Sequence, residues 1–284
     1  MEVRLAESAG FCFGVKRAVD TVYEQINNGG NIYTFGSIIH NKEVVGDFAA
    51  KGVKTVNSLE ELDGIKDACV IIRSHGVSKE IYEGIEKRGL KIIDTTCPFV
   101  KRIHNIVSEA SKEGKRIVII GNEGHPEVEG IKGWCENEAF VIGCEEDAEV
   151  LKGLTNADIC VVSQTTFNKN KFKDLVEYLN KICYDMNVSV VNTICNATSE
   201  RQNEAAQLAK IADVMIVIGD SQSSNSRKLY EISKLYCEKT YFIQTLKELH
   251  LDLPANANLV GITAGASTPK NIIEEVQNYV RTYF

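Results

Sequence analysis

At 284 residues, 44% hydrophobic and 25% charged, the chain has the composition of an ordinary globular protein, which excludes a disordered or low-complexity polymer. A formal charge of −7 excludes a broadly basic nucleic-acid binder, because phosphate binding needs a positive field. No run of about 18 apolar residues occurs, so no membrane-spanning helix is expected, and the start MEVRLAESAG lacks the basic and apolar regions of a secretory signal.

These features point to a cytoplasmic protein with neither nucleic acid nor membrane as partner. The length predicts roughly two domains and a sizeable core. Nine cysteines stand at 12, 69, 97, 135, 144, 160, 183, 195 and 237, with no C-x-x-C pair. An odd count without a signal argues against a disulfide framework.

In chain order the elements repeat. The stretch Met1–Ala6 reads as a strand, and Cys12 opens a helix with apolar residues at Val15, Val19, Val22 and Ile26. Cys97 opens a second helix with Val100, Ile103, Val107 and Ala110, and Pro98 suits its first turn. Cys195 opens a third with Ala205, Leu208, Ala209 and Ala212. Steps of three and four residues are the helical period.

Each helix runs into a short apolar strand ending at a glycine: Gly36, Gly121 or Gly219. A polar loop follows, carrying His40, then His125 with Glu127, then Ser223, Ser224 and Asn225. A further strand leads to a second polar loop, with His75, Thr165 or Ser267. One more strand leads back to the next cysteine, over Ile92–Cys97 and Val188–Cys195. The third unit has no strand after it, and the N-terminal strand can supply the missing one.

The spacing supports the repeat. His40 follows Cys12, His125 follows Cys97 and Ser223 follows Cys195 by 28 residues each. The second loops follow their cysteines by 63, 68 and 72 residues, a drift that fits surface insertions. The expected fold is α/β: three similar parallel-sheet units around a pseudo-threefold axis, the third closed by the N-terminal strand. The expected boundaries are 13–96, 97–194 and 195–284, the last joined by residues 1–12. Ligands bind beyond the carboxyl ends of such strands, so three cysteines and the polar loops would meet at one centre.

Three thiols at helix starts can be thiolates, because a helix N-terminus lowers a thiol's pKa. Three thiolates together require a cation or a cluster among them. Zinc with a fourth ligand fits. So does an iron–sulfur cluster, which is usually held by four cysteines and here would keep one iron open. Cys69 and Cys160 lie inside apolar strands and read as core; Cys135, Cys144, Cys183 and Cys237 follow no repeat.

Of five histidines, His40, His75 and His125 fall in strand-end loops, whereas His104 and His250 read as background. Histidine with Ser, Thr and Asn suits a phosphorylated ligand, and strand–loop–helix junctions add backbone amides. Walker A and G-x-G-x-x-G motifs are absent. Glu127 in a closed site could relay protons if burial raises its pKa. At this level three classes remain open: an iron–sulfur reductase, a zinc hydrolase of a phosphorylated small molecule, and a non-catalytic cluster-binding sensor.

The motifs Gly-Phe-Cys12-Phe-Gly-Val, Thr-Thr-Cys97-Pro, Gly-His125-Pro-Glu127-Val, Ser-Gln-Thr165-Thr, Asn-Thr-Ile-Cys195, Ser223-Ser224-Asn225-Ser and Ala-Gly-Ala-Ser267-Thr-Pro occur in that order. Together they resemble the hydroxymethylbutenyl diphosphate reductase family, over about residues 10–270. The resemblance implies a 4Fe–4S cluster on Cys12, Cys97 and Cys195, with one open iron for the substrate's hydroxyl. It implies that His40, His75, His125, Ser223, Ser224, Asn225 and Ser267 hold the diphosphate. It implies Glu127 as proton source, with Thr165 beside it in a catalytic and substrate-binding role. The implied reaction is two-electron reductive dehydroxylation of 4-hydroxy-3-methylbut-2-enyl diphosphate to isopentenyl and dimethylallyl diphosphate, the last step of the methylerythritol phosphate route to isoprenoids. The implied electron donor is a ferredoxin or flavodoxin.

Overall fold

The computed structural model describes residues 1–154, 157–251 and 257–283. The chain begins with β1 (Glu2–Leu5) and α1 (Phe13–Asn28). It continues with β2 (Asn31–Phe35), α2 (Lys42–Ala50), β3 (Lys54–Val56), β4 (Ala68–Ile72), α3 (Lys79–Lys87) and β5 (Lys91–Asp94). The next stretch holds α4 (Pro98–Lys112), β6 (Arg116–Ile120), α5 (Pro126–Lys132), β7 (Ala139–Ile142), β8 (Asp158–Ser163), α6 (Lys169–Ile182) and β9 (Asn187–Val190). The last holds α7 (Asn196–Ala209), β10 (Val214–Ile218), α8 (Ser224–Tyr236), β11 (Thr240–Ile243), β12 (Leu259–Ala264) and α9 (Lys270–Tyr283).

The strands form three four-stranded sheets, with orders β3-β2-β4-β5, β7-β6-β8-β9 and β11-β10-β12-β1. Every recorded pair is parallel. The three orders are the same topology, so the repeat read from the cysteine spacing is a repeat of structure. Its closure is also as expected: β1 lies beside β12 with Glu2 opposite Leu259 and Leu5 opposite Ile262.

By compactness the chain falls into two units. One comprises Met1–Lys16, Ile39–Asp47 and Asn196–Phe284 and holds the sheet with β1 and β12; the other comprises Arg17–Ile38 and Phe48–Cys195 and holds the other two sheets.

Parallel strands covered on both faces read as continuous apolar runs. In β6, Val118 and Ile120 pack with Phe172, Leu175 and Leu179 of α6. The alternate residues Ile117 and Ile119 pack with Ile103 and Val107 of α4 and with Val128 and Ile131 of α5. In β10, Val214, Ile216 and Ile218 face Ile273, Val276 and Val280 of α9, while Val217 faces Ala205 and Leu229. Helices therefore cover the sheets, and all strand carboxyl ends open into polar loops.

Two expected strands are shorter than read. Ile92–Cys97 ends as a strand at Asp94, because the Asp94 carboxylate accepts the Thr96 amide at 2.8 Å and turns the chain. Val188–Cys195 is a strand over Asn187–Val190, and Asn192 turns the chain by accepting the Ile194 amide at 3.1 Å. Both turns free the cysteines to stand at helix starts rather than in the ladder. The strand-end glycines also have a steric reason. A Cβ at Gly219 or Gly265 would lie 2.3 or 2.0 Å from the Ser226 hydroxyl oxygen, so only glycine lets α8 seat its first turn on β10 and β12.

Candidate functional site at the strand ends

The three cysteines are presented in the same way. The amide of Cys12 donates to Ala266 O at 3.2 Å, that of Cys97 to Ser74 O at 3.0 Å and that of Cys195 to Thr165 O at 3.1 Å. In each case the acceptor lies in the loop after the repeat's second strand, and the cysteine is half-buried. Cys97 caps α4 from the N-cap position, followed by Pro98 in the first turn. Burial raises the thiol pKa of Cys69, Cys135, Cys160, Cys183 and Cys237, Cys135 to about 12, which keeps these thiols protonated and inert. Cys160 is buried as the sequence suggested, whereas Cys69 is only half-buried.

The unit with two sheets brings together His75, His125, Glu127 and Thr165. His125 is the N-cap of α5: its Nδ1 accepts the Glu127 amide at 3.1 Å, and Pro126 occupies the first turn. The His75 and His125 rings meet edge to face, with centroids 5.6 Å apart. Glu127 is 1% exposed. Its carboxylate accepts the Thr165 amide at 2.6 Å and the Thr165 hydroxyl at 2.8 Å. Burial pushes the Glu127 carboxyl up to about 7, against the two Thr165 hydrogen bonds, which favour the charged form. A group at that value both holds and releases a proton near neutral pH.

The unit closed by β1 brings together Cys12, His40, Ser267 and the start of α8. The Ser267 hydroxyl donates to His40 O at 2.9 Å. Ser223 caps α8, its hydroxyl accepting from the Ser226 hydroxyl at 3.0 Å and more weakly from the Ser226 amide. Ser224 and Asn225 form the first turn, where backbone amides point outward and favour an anion. Asn225 is buried, and both atoms of its side-chain amide lack a hydrogen-bond partner among the described residues. Such a group is costly unless a ligand completes it.

Sequence reasoning left Gln164 and His104 without roles. Gln164 laces two strand-end loops: its Oε1 accepts the Asn122 amide at 3.0 Å and its Nε2 donates to the Thr166 hydroxyl at 3.1 Å. Its place beside Thr165 was the available signal. His104 stacks on Trp134 with centroids 5.2 Å apart, and burial pushes its imidazole down to about 4, so it is neutral core.

The raised Glu127 value has a stability consequence. Below its ordinary value of 4.5 the carboxyl is protonated folded or unfolded; between 4.5 and about 7 only the folded chain keeps the proton. Stability from this group is therefore full on the acid side and lost as pH rises through about 7. Glu127→Gln removes the loss. We expect urea unfolding to show the variant gaining on the parent by on the order of 3 kcal/mol between pH 4.5 and 8. A difference that is flat with pH would place the Glu127 carboxyl at its ordinary value.

Fold and site together define an all-parallel α/β protein whose acid, imidazole, thiol and hydroxyl groups stand beyond the strand ends, the arrangement of an enzyme for a small anionic ligand. The family model described as LytB protein matches residues 3–281, and the chain belongs to the LytB family. A relative from Caldanaerobacter subterraneus, 45% identical over 99% of this chain and 97% of its own length, is named 4-hydroxy-3-methylbut-2-enyl diphosphate reductase. The structure of the E-1-hydroxy-2-methyl-but-2-enyl-4-diphosphate reductase from Plasmodium falciparum matches with a TM-score of 0.92 at 29% identity, over 99% of this chain and 88% of that one. A structure of (E)-4-hydroxy-3-methyl-but-2-enyl diphosphate reductase, titled the terminal enzyme of the non-mevalonate pathway, matches at 41% identity with a TM-score of 0.71, covering 99% of both chains. No helix among the described residues is long and apolar enough to cross a membrane.

Proposed function

We propose that this chain is an oxidoreductase that converts 4-hydroxy-3-methylbut-2-enyl diphosphate to isopentenyl and dimethylallyl diphosphate. Two electrons and two protons enter and one water leaves. The observation that carries the reading is Glu127: a buried carboxyl with a value near neutrality, oriented by Thr165, in a member of the LytB family. That is the property a proton donor to a leaving hydroxyl needs.

The donor set suits an iron–sulfur cofactor. Cys12, Cys97 and Cys195 share one backbone setting, each directly ahead of a helix. We assign them as the three ligands of a 4Fe–4S cluster with one open iron. When bound, such a cluster supplies single electrons and a Lewis-acidic iron.

The rest falls to the chain's own residues. Glu127 holds the proton and Thr165 fixes its carboxyl. The diphosphate takes hydrogen bonds from His40, His75, His125, Ser223, Ser224, Asn225 and Ser267; the buried Asn225 amide is the best local support for this role. Binding energy spent there is remote from the bond that breaks. The reading carries with it a ferredoxin or flavodoxin as electron donor, a cytoplasmic setting, and a division into repeats at 13–96, 97–194 and 195–284 with 1–12.

The test is turnover of the substrate by anaerobically purified protein with a one-electron chemical reductant. Both isomeric products are expected. Substrate returned unchanged by protein carrying its full iron and sulfide would overturn the assignment.

A further inference from the structure

The first half of α7 buries the polar residues Thr198, Arg201 and Gln202 ahead of the apolar Ala205, Leu208 and Ala209, and Arg201 with the half-buried Glu204 grips the chain that leads to Cys12. Arg201 is 6% exposed. Its guanidinium donates from Nη2 to Gly10 O at 2.8 Å and from Nη1 to Ala197 O at 3.0 Å. Its Nε is buried with no hydrogen-bond partner among the described residues. Three residues further, on the same face of the helix, the Glu204 carboxylate accepts the Glu7 amide at 2.5 Å, the Ser8 amide at 3.0 Å and the Ser8 hydroxyl. Gly10 holds a φ of +100°, and a Cβ there would lie 3.2 Å from Ile273. Residues 7–10 are thus held by α7, and Ile273 of α9 leaves little room for a side chain at Gly10, two residues ahead of Cys12.

The device occurs again in the other unit. Arg17 donates from Nη2 to Thr96 O at 2.6 Å, directly ahead of Cys97, and its Nε is likewise buried without a partner. Both arginines stand on helices that follow a cysteine, at Cys12 plus five and Cys195 plus six. Each holds the backbone ahead of a different cysteine.

We propose that Arg201 and Glu204 are positioning residues that fix the 7–10 loop so that Cys12 meets its cluster in one geometry, and that Arg17 does the same for Cys97. This rests on the cluster assignment made above. A purely structural role makes a different prediction. Losing these hydrogen bonds in a purely structural role lowers the stability of the fold and leaves iron binding unchanged, whereas groups that orient metal ligands cost about 10–100-fold in metal affinity when removed. Only Arg offers the planar fork that reaches two carbonyls at once.

The experiment uses anaerobically purified holoprotein and follows iron loss to a ferrous chelator, with the electron paramagnetic resonance spectrum of the reduced cluster as second readout. Arg201→Met is expected to lose iron at least about 10-fold faster than the parent and to shift the spectrum. Arg201→Lys keeps the charge without the fork and is expected to recover only part of the difference. Glu204→Gln, the mildest change, is expected to quicken loss severalfold, and it decides the matter if Arg201→Met does not fold. Parent rates and spectra in Arg201→Met and Glu204→Gln would overturn the proposal, as would a drop in thermal stability with iron loss unchanged. A parent that binds no iron would overturn the cluster assignment itself, and this proposal with it.

Discussion

Glu127→Gln is expected to keep the parent's iron and sulfide and to lose about 1,000-fold in turnover, within the usual range for a general acid. Glutamine preserves the shape. Its carbonyl oxygen can still accept the Thr165 amide, and its amide nitrogen can turn the second hydrogen bond round and donate to the Thr165 hydroxyl. What it cannot do is deliver a proton. The loss should fall on kcat, with KM for the diphosphate within about threefold, because the proposed role sets the group where the bond breaks rather than where the diphosphate is held. The parent's kcat should also decline as pH rises above about 7, where the carboxyl empties. Turnover in the variant within tenfold of the parent would remove Glu127 from the mechanism.

Cys97→Ser should separate fold from cofactor. Cys97 sits at the N-cap of α4 and makes no side-chain capping hydrogen bond there. Serine is among the best N-cap residues, so the substitution should leave α4 as stable or more so, by up to about 1 kcal/mol. The proposed cluster ligand, however, is gone. The expected outcome is a folded chain whose cluster is lost on purification or on first exposure to chelator, with turnover below about 1% of the parent's. Full iron and sulfide with normal turnover would remove Cys97 from the ligand set.

Much of this was legible from the sequence because the signals are physical. The helices after Cys12, Cys97 and Cys195 show a three-to-four period because one face packs on a sheet. The central strands show as apolar runs because both faces are covered, and Gly36, Gly121 and Gly219 punctuate their ends. The closure by β1 followed from counting strands.

What escaped was short or polar. The edge strands β3, β7 and β11 run three or four residues and are only partly buried, so even the apolar Ala139–Ile142 is too short for a run or an alternation to stand out. The strands before Cys97 and Cys195 read as too long because the Asp94 and Asn192 turns interrupt them after an extended approach. On α7, Thr198, Arg201 and Gln202 are buried. From sequence alone such residues look like a solvated face. Only the contact from Arg201 to Gly10, across 191 positions of chain, reveals them as interior. The same limit applies to Glu127, whose value depends on burial by residues distant in sequence.

The central claim, that three identically set cysteines carry an iron–sulfur cluster, is tested most directly by iron, acid-labile sulfide and visible absorption on protein purified without oxygen. The account predicts close to four irons and four sulfides per chain and a broad brown absorption that bleaches on reduction. Zinc without sulfide would contradict it, leaving the threefold repeat intact and the proposed chemistry wrong.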